Sequence, residues 1–127
     1  MTRALLVGVG GFVGAVLRYW LSGLAQAAAP RTPFPLGTLV VNVLGCLTIG
    51  VVAQLAESRG FLTSDTRALV IVGVLGGFTT FSAFANETLN AVRDGATAVA
   101  AANVILSVTL CLGAVWAGRA LAVAIWR

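Results

Sequence analysis

The sequence predicts an all-α integral membrane protein with four transmembrane helices, the third of them broken. Three observations carry this reading. The chain has 127 residues, 59% apolar and 9% charged, with a mean hydropathy of +1.01, well outside the balance of a soluble domain. Its polar residues gather at Pro30 to Pro35, Glu57 to Asp65 and Arg93 to Gly95, leaving four apolar lengths that can each cross a bilayer. The third length is itself interrupted by Gly76-Gly77-Phe78-Thr79-Thr80-Phe81-Ser82. Inside a bilayer such broken backbone has to face protein or water rather than lipid.

Composition also excludes function classes. Every basic residue is an arginine, there is no lysine or histidine, and the net charge is +4. The arginines stand singly among apolar runs, so they read as solvated flanks of membrane segments and not as a nucleic-acid surface. With no histidine and four carboxylates, acid–base catalysis and a histidine metal site are both poorly supplied, and an enzyme is not expected. Cys46 and Cys111 lie far apart in apolar runs and read as small buried hydrophobes, with neither disulfide nor metal spacing.

The first span is expected at about residues 4–28, long enough at ~1.5 Å per residue to cross a ~30 Å hydrocarbon core. Its start resembles a signal peptide, with Arg3, an apolar stretch and Ala25-Gln26-Ala27. A retained helix is preferred, because Arg18 and Tyr19 interrupt the apolar core and Gly10, Gly11 and Gly14 make a small-residue face suited to close packing. All three prolines fall in Pro30-Arg31-Thr32-Pro33-Phe34-Pro35. They push the preceding residues out of helical backbone, so a turn ends there and the second span, 36–56, starts at Leu36. Asn42 is its one strongly polar side chain at depth. Thr63 or Ser64 then caps the third span, expected over 66–92 with its break at 76–80. Arg93-Asp94-Gly95 turns the chain into a fourth span, 96–117, which carries Asn103, Ser107, Thr109 and Cys111. The whole is one bundle, residues 1–127, without a soluble domain, linker or repeat.

With four spans, Arg3, Arg59, Arg67, Arg119 and Arg127 fall on one side and Arg18, Arg31 and Arg93 on or toward the other. So weak a bias permits insertion in both orientations and pairing of opposed copies, as well as one fixed orientation with the five-arginine side cytoplasmic. Four short helices enclose little interior, which favours an oligomer.

The polar residues at depth admit two readings each. Asn42 can hold helices together through its amide or present an N–H donor to an anion. Phe81 and Phe84, three apart, share a helix face; the pair can be ordinary packing, or ring edges bearing partial positive charge can meet an anion. Thr79, Thr80 and Ser82 supply hydroxyls, which in a span usually bond back to a helical carbonyl. Carbonyls ending the first half-helix, around Gly76 and Thr79, can hold a cation, while the second half-helix begins with free N–H groups and positive dipole. Glu87 argues for a proton or cation site unless it lies near the interface. Arg18 is either a snorkelling anchor or a charge at a vestibule.

These motifs resemble the Fluc, or CrcB-type, fluoride channels of prokaryotes. The resemblance rests on Gly10-Gly11-Phe12-Val13-Gly14-Ala15-Val16-Leu17-Arg18-Tyr19, on Gly37-Thr38-Leu39-Val40-Val41-Asn42-Val43-Leu44-Gly45, and on Gly76-Gly77-Phe78-Thr79-Thr80-Phe81-Ser82-Ala83-Phe84 with Glu87. It covers nearly the whole chain, and the third motif is the most specific. It implies a dual-topology antiparallel homodimer in the prokaryotic inner or plasma membrane, with two fluoride pathways. It further implies a structural sodium ion at the dimer interface, held by backbone carbonyls that match Gly76 and Thr79. By the same resemblance Asn42, Phe81 and Phe84 line the fluoride pore, with Thr80 and Ser82 in the same motif and Ser107 on a polar track of the fourth helix. Arg18 matches a pore-mouth arginine, and Glu87 a carboxylate close to the pathway. The expected function is passive fluoride export that protects against fluoride toxicity.

Two rival functions remain distinguishable. A small proton-coupled exporter of cations or drugs with dual topology should carry a deep carboxylate on its first span, and residues 4–28 contain none. A membrane subunit that binds a partner through its glycine faces should show no flux at all.

Overall fold

The structure, a computed structural model, describes residues 1–60 and 62–126. Phe61, in the second connection, and Arg127, counted above among the flanking charges, lie outside the described residues, as does the Arg59 side chain. Four helical lengths are long and apolar enough to cross a membrane: Thr2–Ala27, Leu36–Ser58, Ser64–Arg93 and Thr97–Ile125.

The first is α1 (Thr2–Ala27). Gln26 near its end donates to the Phe34 carbonyl (3.3 Å) and accepts from the Gly37 N–H (3.2 Å), fastening the proline turn to both helices. Pro35 precedes α2 (Leu36–Arg59), as the proline pattern requires, and Gly60 closes that helix with φ 60°, the left-handed backbone that favours glycine. The Thr63 hydroxyl accepts from the Thr66 N–H at 3.2 Å, so Thr63 is the cap of the third span.

That span begins as α3 (Ser64–Arg67), widens into a π-helical segment (Ala68–Leu75) and continues through α4 (Gly76–Phe78). The chain leaves the helix only at Thr79 (ψ 158°) and Thr80 (ψ 115°), then resumes as α5 (Phe81–Arg93). The expected break at 76–80 is therefore corrected to two residues. Gly76 and Gly77 do not break the helix, because the second of them serves packing instead: a Cβ on Gly77 would run into the Gly11 backbone of α1. After α5, Gly95 takes φ 75° and turns the chain into α6 (Thr97–Ile125), longer than the expected 96–117.

Small residues set the packing. Gly10 and Gly14 are buried, with the carbonyls of Leu69 and Val74 where their side chains would project. On the other side of the bundle α2 and α6 run parallel, Gly50 against the Val115 carbonyl and Gly118 against the Leu47 carbonyl. Such close backbone approach is how helices associate where lipid is as apolar as the side chains. The buried apolar core is accordingly small, including Leu39, Val41 and Leu75, while large apolar residues such as Phe12, Leu24 and Trp116 face outward. Two ion pairs at the end where α1 starts join the helices there: Arg3 with Asp65 (2.9 Å) and Arg119 with Glu57 (2.9 Å).

Candidate functional site

The two-residue break organises the site. With its backbone extended, the Thr80 N–H cannot reach the helical carbonyl four residues back, and a buried amide needs a partner. Asn42 of α2 supplies it: its Oδ1 accepts from the Thr80 N–H at 2.8 Å and its Nδ2 donates to the Thr80 carbonyl at 3.0 Å. One side chain thus replaces the missing partner of the N–H and adds a second bond to the Thr80 carbonyl, which as the cap of α5 already accepts the first bond of that helix. Thr80 also caps α5, its hydroxyl accepting from the Ala83 N–H (3.2 Å) and lying 3.3 Å from the Ser82 hydroxyl. Thr79 ends the preceding helix, its hydroxyl donating to the Leu75 carbonyl at 3.0 Å.

Beside the break lies a groove of about 490 Å³. Seven of the residues singled out from sequence line it together: Asn42, Gly76, Thr79, Thr80, Phe81, Phe84 and Ser107. Its remaining wall is mostly apolar, from Ile49, Ile71, Leu75, Val108 and Leu112. The rings of Phe81 and Phe84 stand 5.3 Å apart at 46°, neither stacked nor perpendicular, and Phe81 is 79% exposed. Both residues line the groove.

The structure does not bring the other three into this groove. Among the described residues Ser82 meets the site only through its contact with the Thr80 hydroxyl. Arg18 is half-buried on α1 and makes no ion pair or side-chain hydrogen bond among the described residues. Glu87 faces a second, smaller cavity of about 230 Å³ lined also by Pro33, Asn90, Asp94 and Asn103. Its Oε1 accepts from the Thr38 hydroxyl at 2.6 Å, whereas its Oε2 is buried without a partner among the described residues.

A family model described as CrcB-like protein, Camphor Resistance (CrcB), matches residues 5–119. The chain belongs to the CrcB family. Relatives of similar length bear the name Fluoride-specific ion channel FluC: one from Methylobacillus flagellatus is 44% identical over 118 residues, covering 93% of this chain and 92% of its own. Another from Rhodospirillum rubrum is 48% identical over 123 residues, 95% of each chain. A third, FluC 1 of Methanosarcina acetivorans, is 41% identical over 119 residues, 94% of this chain and 89% of its own.

In this CrcB chain Asn103, which the sequence places on the fourth span, is a polar residue to which it assigns no role. Asn103, 1% exposed, donates to the Thr88 hydroxyl at 2.9 Å and accepts from Ser107 at 3.3 Å, while Thr88 donates to the Phe84 carbonyl at 2.7 Å. A polar thread thus runs from Ser107 in the first groove to Asn103 at the second cavity. Sequence offered a signal in the spacing of Asn103 and Ser107, four apart on one face of an apolar helix. Nothing in the sequence named Thr88 as their partner on α5.

Proposed function

We propose that this chain is a fluoride-selective channel that lets fluoride leave a prokaryotic cell passively across its plasma membrane, protecting against fluoride toxicity. The observation that carries this reading is the near full-length kinship with relatives named as fluoride-specific channels. The shape of the groove supports it.

Fluoride is small and strongly hydrated, so its path must replace water with donors while staying too narrow for larger anions. Asn42 spends one amide N–H on Thr80 and keeps the other for the groove. The Ser107 hydroxyl, bonded to Asn103 at the long distance of 3.3 Å, can turn to an anion. Ring edges of Phe81 and Phe84 add weak positive charge that attracts an anion without trapping it. An inside-negative potential drives the ion outward by ~2.3 kcal/mol per 100 mV, so no coupled fuel is needed.

The functional unit in this proposal is an antiparallel homodimer with its two copies inserted in opposite orientations. An open, largely apolar groove on a single chain supports it, because a copy laid there would close the path. A structural sodium ion belongs to the same proposal, held by the carbonyls of Gly76 and Thr79. The donor set fits: the Thr80 N–H is turned to Asn42, which leaves the Gly76 carbonyl without its helical donor, and Gly76 is exposed on the groove. Bound there, the cation would supply the charge that lets carbonyl dipoles from two copies approach. Purified protein in liposomes, with fluoride efflux followed by electrode and chloride as control, tests the function. Fluoride flux without comparable chloride flux is expected; no fluoride flux, or equal chloride flux, overturns it.

A further inference from the structure

Cys46 and Cys111 are 65 positions apart in sequence, and nothing in their spacing relates them. The parallel packing of α2 on α6 does. Gly50 rests against the Val115 carbonyl; one turn earlier on both helices stand Cys46 and Cys111, and one turn earlier again Asn42 and Ser107. Both cysteines are free and half-buried. Both line the 490 Å³ groove, from adjacent helices at the same level. The glycine contact one turn away holds the helices close, so the two cysteines stand in matching register on one groove wall.

We propose that Cys46 and Cys111 form a two-thiol site for a soft metal ion of linear, two-coordinate habit. Thiolates select soft metals over the hard ions that carbonyl oxygens prefer. The described residues hold no cluster of three or more histidine, cysteine or carboxylate side chains suited to a metal, which leaves a two-sulfur site suited to ions content with two ligands. Mercury(II) is the probe. Mercuric chloride is neutral and enters apolar grooves; two S–Hg bonds form, two Hg–Cl bonds break, and both thiol protons leave to water with no change of oxidation state. The product bridges α2 and α6 within one chain.

The experiment uses detergent-purified full chain titrated with mercuric chloride, followed by sulfur-to-metal charge-transfer absorption and the intact mass of the denatured monomer. Saturation at one mercury per chain, with two hydrogens lost and no chloride kept, is expected. The adduct should resist a competing monothiol at concentrations about 100-fold above those that strip mercury from Cys46→Ala or Cys111→Ala, since the second sulfur acts at high effective concentration. Two mercuries per chain, or a chloride-retaining adduct, overturns the proposal without need of any variant. Equal release from the parent and from a folded single-cysteine variant overturns it as well.

Discussion

Asn42→Ala removes the side chain that bridges the helix break. Its amide makes two hydrogen bonds to Thr80, at 2.8 and 3.0 Å, and alanine removes both, leaving the Thr80 N–H without a protein partner while the carbonyl keeps the first bond of α5. An orphaned buried polar group costs ~1–3 kcal/mol in soluble proteins, whereas interhelical bonds in membranes average ~0.6 kcal/mol with a maximum near ~1.7. Two bonds at the membrane scale give a loss of about 1–3 kcal/mol, roughly a 5- to 150-fold shift toward the unfolded form. Reversible unfolding of the reconstituted protein in increasing SDS reads this directly. Flux per folded channel should fall at least tenfold, because the same amide offers its second N–H to fluoride and because Thr80 is no longer fixed. A stability loss below about 0.3 kcal/mol, half the value of a single average membrane bond, would refute the clamp. Full stability loss with unchanged flux per folded channel would refute the donor role alone.

Three further outcomes are expected. Phe81→Ile or Phe84→Ile keeps apolar bulk but removes the ring edge, so fluoride efflux should drop while cross-linking still reports a dimer; unaltered efflux in both variants would dispose of the ring-edge contribution. Gly118→Leu drives a side chain into the Leu47 carbonyl, and overpacking of this kind costs ~1–3 kcal/mol; an SDS unfolding midpoint equal to the parent's would show that the α2–α6 contact is looser than described. Exchanging sodium for a bulky organic cation throughout purification should weaken dimer assembly or abolish fluoride flux, and indifference in both measurements would count against a structural sodium ion at Gly76 and Thr79.

Much of this protein was legible in the sequence because its local states follow from local chemistry. Four apolar lengths separated by proline, glycine and charge can only be spans, and the capping hydroxyl of Thr63 and the turn at Gly95 follow from short-range backbone rules. The small face of Gly10 and Gly14 was equally visible. Partnership was not, since it depends on which helices the bundle sets side by side. Gly76 and Gly77 look like helix breakers until α1 is seen against Gly77; the helix then runs on, and the two threonines after Phe78 end it. Asn42 was ambiguous as an isolated amide and gained a definite role only when packing brought it to the unpaired backbone of Thr80. Asn103 found Thr88 in the same way, and Cys46 and Cys111 came to line one groove. The sequence by itself determined where the chain crosses, turns and weakens, because those depend on neighbours along the chain. Only the tertiary structure decided which polar groups satisfy one another, because in an apolar bundle that choice belongs to helices distant in sequence.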